Sequence, residues 1–187
     1  MASVDGIGVD LSGETYRVKQ SLVRDRYQVY DGDGQLLLRA DRREFRASRE
    51  FPFRDADGNE AFRIREGNIE DDFFIVPATS DSPVAILERN AALLGHEWNV
   101  RHGTNERLLA TVEARGPMLE FFRHYVPMMG VLPHTYTIED ADGEQVGTLT
   151  GQFTLSESYE LDVSTPNGTD RETLIAAAIS IDALDGK

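Results

Sequence analysis

The chain has no cysteine, and that absence removes disulfide frameworks, thiolate zinc sites and cysteine nucleophiles together. It leaves the redox compartment undetermined. Lysine is nearly missing as well: Lys19 and Lys187 are the only two among 19 basic residues. No hydrophobic run approaches the ~20 residues that a membrane-spanning helix needs. The longest strongly apolar stretch, Leu174 to Ile181, has eight. Met1 to Ser12 carries neither a basic n-region nor an apolar h-region, so no secretory signal is expected there. The expected location is the cytoplasm, with room for peripheral contact with a membrane. Basic charge is scarce: 33 acidic residues face 19 basic ones, for a net charge of −14. Generic nucleic-acid binding needs a basic footprint and is therefore not expected.

A charge this large keeps a surface hydrated but destabilises the compact state by self-repulsion unless salt screens it. In molar salt the screening length falls to about 3 Å. An acid-rich, lysine-poor composition resembles that of proteins from salt-accumulating microbes, haloarchaea above all, so the charge reads as adaptation to a solvent. It is unevenly placed. Residues 1–65 hold twelve acids and twelve bases, and residues 66–187 hold 21 acids and seven bases.

A chain of 187 residues has the length of one domain and can bury roughly 70% of its unfolded surface. Period-two alternation runs through it. Tyr159, Leu161 and Val163 alternate with Ser158, Glu160 and Asp162, the pattern of a half-buried strand. Phe62 and Ile64 alternate with Arg63 and Arg65, and Trp98 and Val100 with Glu97, Asn99 and Arg101. Gly147, Leu149, Gly151, Phe153 and Leu155 share a face, with Thr148, Thr150 and Thr154 opposite. Asp33-Gly34, Asp57-Gly58 and Asp142-Gly143 stand between such runs, and tight hairpins favour Asp-Gly because they need positive φ.

The last part of the chain changes period. Thr169 to Glu172 has the form of a capping box, followed by Leu174, Ile175, Ala176 to Ala178, Ile179, Ser180 and Ile181. A helix apolar on every side belongs in a core. The alanines make it slim enough to thread an enclosing barrel, and closure would remove exposed sheet edges.

Tyr27-Gln28-Val29-Tyr30-Asp31 with Gly34, Phe53 to Gly58, Tyr136 to Asp140 with Gly143, and Ser158 to Val163 followed by Leu174 to Asp182 resemble, in order and spacing, the LURP-one-related proteins of the tubby-like superfamily. Those are similar in turn to phospholipid scramblases. The resemblance spans residues 16–184 of one domain covering 1–187. It implies a mainly β fold, a closed antiparallel barrel of about twelve strands around a C-terminal apolar helix. Arg115 to Leu132 departs from the pattern, as an insertion would. Tubby proteins bind phosphoinositide headgroups through basic residues, whereas the LURP-one-related proteins have no settled activity. The scramblases' proline-rich region and cysteine cluster have no counterpart here. Fold-level analogy alone does not transfer a function.

Among candidate sites the arginines Arg39, Arg42, Arg43, Arg46, Arg49 and Arg54 stand out. Against Asp41, Glu44 and Glu50 they give a local +3 on an acidic chain. Guanidinium groups suit bidentate phosphate recognition, so an anionic lipid headgroup or phosphorylated ligand is the partner they suggest. Read as one strand, Arg42, Arg46 and Arg54 share a face with Glu44 and Glu50, an arrangement that cross-strand ion pairs on a solvated surface would also give. A second candidate surface is the apolar segment 118–132, with Phe121, Phe122, Met128 and Met129 and bounded by Pro117 and Pro133, which could dock a protein partner as an interaction scaffold. Core filling accounts for such residues more often.

Other motifs fall short. Asp55-Ala56-Asp57-Gly58-Asn59 with Glu66 imitates EF-hand ligand spacing, but Glu60 stands where glycine is required, so a hairpin is expected. His96, His102, His124 and His134 lack zinc spacing; only His96 and His102, flanking Trp98, could meet at neighbouring strand ends. Gly6-Ile7-Gly8 lacks a third glycine and a preceding strand. No nucleophile, base and orienter assemble. The chain thus reads as a non-enzymatic binding module without cofactor or metal. Asp182 opposes the helix dipole and is expected to be hydrogen-bonded to a partner the sequence does not name.

Overall fold

Buried residues recur at every second position along most strands of the computed structural model, with runs of three at 51–53, 75–77 and 136–138; it describes residues 7–21, 26–41, 43–44, 49–67, 72–92, 95–115, 135–152, 157–164 and 171–185. The strands are β1 (Thr15–Ser21), β2 (Arg26–Tyr30), β3 (Leu36–Asp41), β4 (Glu50–Arg54), β5 (Glu60–Glu66), β6 (Asp72–Pro77), β7 (Ala85–Ala92), β8 (Gly95–His102), β9 (Leu108–Arg115), β10 (Thr135–Asp140), β11 (Gln145–Gln152) and β12 (Glu157–Val163). Each pairs antiparallel with its neighbours in sequence, and β1 closes on β12. The result is an up-and-down barrel with a helix near the C-terminal end, α1 (Arg171–Asp185), as the sequence led us to expect.

Inward positions supply the core. Tyr16, Val18, Tyr27, Val29, Phe51, Phe53, Phe62, Ile64, Trp98 and Val100 are buried. Phe53 stacks on Phe62 with ring centroids 4.6 Å apart and meets Tyr27 edge-on at 5.8 Å, geometries that aromatic quadrupoles favour. Through the middle runs α1, buried from Thr173 to Leu184. Ala176, Ala177 and Ala178 carry too little side chain to hold the wall away.

Three hairpins at one end of the barrel share a single construction. Asp31, Asp55 and Asp140 each accept the backbone N–H of the residue four positions on, at 2.8, 2.8 and 3.0 Å, through Oδ1. Gly34, Gly58 and Gly143 then sit at φ of 84°, 96° and 81°, where a side chain would be strained. The recurrent Asp-x-Asp-Gly is thus a turn, and the calcium-like spacing around Asp55 is consumed by it: Asn59 donates its backbone N–H to Oδ1 and its side-chain amide to Oδ2.

The same end is closed by the segment before β1. Ile7 and Leu11 join the core. Arg171, at the start of α1, donates to Gly13 O at 2.6 Å and Val163 O at 3.0 Å. Tyr16 donates to Gly13 O at 2.9 Å, and burial pushes its hydroxyl above the ordinary phenol range.

At the opposite end α1 finishes beside β1 and β2. Asp182 accepts hydrogen bonds from Tyr27 Oη at 2.7 Å and Gln20 Nε2 at 2.9 Å. These are the partners its position called for. Thr169, Phe153 to Leu155, and residues 116–134 with Phe121, Phe122, Met128 and Met129 lie outside the described residues. The capping box and the apolar candidate surface therefore fall outside them too. The strand residues on either side of 116–134, Arg115 and Thr135, pair directly with one another.

Candidate functional site

One seam of the barrel is weaker than the rest. Between β3 and β4 only Arg39 and Arg54 are in register among the described residues, whereas β7 and β8 pair along their whole length from Ala85↔His102 to Ala92↔Gly95. Pro52 accounts for this. Glu66 N donates to Arg49 O, so alternation along β4 turns the hydrogen-bonding groups of Arg49, Phe51 and Phe53 towards β5 and those of Glu50, Pro52 and Arg54 towards β3. Proline has no N–H to give, so the ladder stops beyond Arg54. Pro52 is itself buried, and it stands opposite Arg63 of β5.

Beside this seam lies a cleft of about 340 Å³, lined by Arg26, Tyr27, Gln28, Leu36, Arg39, Ala40, Asp41 and Arg54. Its polar wall is a two-by-two array set by strand register: Arg26 opposite Asp41, and Gln28 opposite Arg39. The two cations occupy one diagonal and the acid and amide the other. Diagonal neighbours on adjacent strands stand roughly 7–8 Å apart, within reach of long side chains. Arg26 and Arg39 are exposed and form no ion pair among the described residues. Asp41 stays close by, accepting the backbone N–H of Arg43 at 2.9 Å.

The remaining arginines divide. Arg54 is clamped by Glu44 in a bidentate pair at 3.0 and 2.8 Å, and those hydrogen bonds raise its pKa further. Arg49, at φ 59°, reaches Glu66 at 3.2 Å with its side chain 79% exposed, and it does not line the cleft. Arg43 lies in the helical turn after β3, also away from the cleft. Arg42 and Arg46 lie outside the described residues. Reading Arg42 to Arg54 as one strand fails, because β3 ends at Asp41 and β4 begins at Glu50. The useful neighbour of Arg39 is instead Arg26, which the arginine cluster did not include. Its signal was the outward parity of Arg26 and Gln28 against the inward Tyr27 and Val29.

The histidine pair does not form either. His96 and His102 lie on the same strand, β8, and six residues of strand separate them by roughly 20 Å. Among the described residues no three His, Cys, Asp or Glu side chains gather where an ion could sit. No described helix is long and apolar enough to cross a membrane.

Comparison with curated proteins gives no match. Among solved structures, the X-ray structure of a protein from Arabidopsis thaliana aligns with 96% of this chain and 99% of its own, with a TM-score of 0.60 at 14% identity. At that identity the likeness is one of fold. The sequence model of the LURP-one-related family matches residues 14–182. That stretch runs from the residue before β1 to the aspartate that ties α1 to β1 and β2, and the chain belongs to the LURP-one-related family.

Proposed function

We propose that this protein is a binding module that takes a phosphate-bearing ligand, a phospholipid headgroup or a soluble phosphate ester, in the cleft beside the β3–β4 seam. The observation that carries the reading is the pair of guanidiniums Arg26 and Arg39, without an ion pair among the described residues, on one cleft wall of a chain whose net charge is −14. Charged groups without a counter-ion on so acidic a surface invite an external anion, and guanidinium meets phosphate oxygens in a planar two-bond geometry. Such contacts act at hydrogen-bond range, so they hold where molar salt reduces the screening length to about 3 Å. Peripheral attachment to a membrane is the natural setting for a headgroup.

A binding role is preferred to an enzymatic one because, among the described residues, the lining holds no serine, threonine, cysteine, histidine or lysine. Its one phenol, Tyr27, directs its hydroxyl at α1. The test is binding in molar KCl of two probes, inorganic phosphate by calorimetry and phosphatidic acid vesicles by co-sedimentation, with the wild type beside an R26A/R39A variant. Wild-type binding of either probe that the double substitution abolishes is the expected result. Equal binding by both proteins, or none by the wild type, overturns the reading.

A further inference from the structure

The cleft is not a plain anion hole, because an acid shares its wall. Asp41 stands directly opposite Arg26 and two residues along the same outward face from Arg39, yet it forms no ion pair with either among the described residues. A carboxylate at this distance from a phosphate subsite lowers affinity for a simple anion, since like charges oppose one another at close range. The penalty reverses if the ligand brings its own cation. One oxygen of Asp41, Oδ1, is held by the Arg43 N–H, which fixes the carboxylate's position and leaves Oδ2 to accept from outside. Gln28, across from Arg39, adds an amide that can both donate and accept.

Size narrows the class further. A volume of about 340 Å³ is near the lower end of small-molecule pockets. It accommodates a compact polar head but neither an acyl chain nor a protein loop. Leu36, half-buried at the cleft, gives it an apolar side against which a short carbon linker can rest.

Resting on the phosphate reading above, we propose that the cleft selects a zwitterionic phosphate ester of an amino alcohol. The phosphate lies between Arg26 and Arg39, and the ammonium donates to Asp41. The array is read as a charge pattern: two cations on one diagonal bind the anionic part, and the single acid across from them binds the cationic part. This converts Asp41 from a liability into the selective element, because it disfavours phosphates that lack an ammonium. The same chemistry occurs in a free phosphorylated amino alcohol and in a phospholipid headgroup.

The experiment is a calorimetric titration of the full chain in molar KCl with phosphoethanolamine and with inorganic phosphate, using wild type and Asp41→Asn. Asparagine keeps an oxygen for the Arg43 N–H, so the turn after β3 is preserved and unchanged melting verifies it. Wild type is expected to prefer phosphoethanolamine by about tenfold, the scale of one charge-assisted hydrogen bond. Asp41→Asn should erase the preference by weakening phosphoethanolamine while phosphate holds or improves. Equal wild-type affinity for both probes, or a preference that survives Asp41→Asn, overturns the proposal and leaves the phosphate reading standing. Absence of binding by either probe overturns both. Co-sedimentation with phosphatidylcholine vesicles, with and without phosphatidylethanolamine, separates the sources. Selective pelleting with phosphatidylethanolamine supports the membrane headgroup, and binding of the soluble ester alone supports a free ligand.

Discussion

The hydroxyl of Tyr27 lies 2.7 Å from a carboxylate oxygen of Asp182, joining the second strand of the barrel to the last turns of the helix inside it. The same hydroxyl lies 3.0 Å from Ile179 O, so its one proton serves two acceptors on α1. Both residues are buried, and a buried acceptor stripped of its donor costs about 1–3 kcal/mol. Tyr27→Phe should therefore lower the melting temperature by several degrees, at about 2–4 °C per kcal/mol for a chain of this length. Asp182→Ala should cost at least as much. The double variant should fall short of the sum, because both changes break one contact. Thermal melts of the three variants check this, and strict additivity would mean that the two residues act separately.

Pro52 gives a prediction in which stability and binding part company. Pro52→Val restores an N–H facing β3 and lets the ladder extend past Arg39 and Arg54. The added hydrogen bond contributes about 0.5–1.5 kcal/mol, offset by about 0.4–1 kcal/mol from the freer unfolded chain. Stability should therefore change little, while the cleft narrows and phosphate affinity drops. Amide exchange along β3, read together with calorimetry, shows whether the seam has closed.

The hairpin glycines separate conformational strain from crowding. A Cβ added at Gly34 or Gly143 would meet nothing within 4 Å, yet both residues sit at positive φ. Gly34→Ala and Gly143→Ala should each cost about 1–2 kcal/mol from backbone strain alone. At Gly58 the added carbon would also come within 2.9 Å of Arg39 Nη2. Gly58→Ala should thus disturb the cleft as well as the turn. Denaturant melts measure the first effect, and phosphate binding distinguishes Gly58 from the other two.

Acid sensitivity should appear at the Asp55 turn. Hydrogen bonds from Asn59 hold the Asp55 carboxyl below its ordinary value of 3.8. The folded state therefore favours the charged form. This contribution is fully present above that value and is lost as pH falls through the lower folded one. The side chain is exposed, so the effect on stability is small. A carbon-detected titration of Asp55 should show its midpoint below that of an unstructured peptide, and Asp55→Asn should flatten the stability curve in the same acid range.

Salt should stabilise the protein as a whole. With 33 acids against 19 bases, carboxylate repulsion acts unscreened in dilute buffer. The melting temperature should rise from low salt to ~2 M KCl, where the screening length is only a few ångströms. A curve flat in salt would remove solvent adaptation as the explanation for the composition.

The sequence made the fold readable where physics is local. Tyr159, Leu161 and Val163 revealed their strand by parity, the Asp-x-Asp-Gly motifs revealed turns by the φ that glycine permits, and Leu174 to Ile181 revealed a buried helix by having no polar face. The cleft was only half readable. Arg39 and Arg54 stood out as part of a cluster along the chain, but the array depends on cross-strand register, which places Arg26 opposite Asp41 and leaves Arg49 turned to Glu66. The partners of Asp182, Gln20 and Tyr27, lie 162 and 155 residues away, and no local pattern names such neighbours. Pro52 was visible throughout, but its importance depends on which edge of β4 it faces, and pairing with β5 decides that.

The order of elements has a consequence for synthesis. Every described strand precedes α1 in the chain, and the strands' inward side chains lack their central packing partner until α1 exists. A ribosome releasing this chain thus exposes twelve strands' worth of unpaired, half-apolar sheet before the segment that fills it emerges. Stable closure has to wait until the helix has left the ribosome, which makes the nascent strands natural clients for a chaperone.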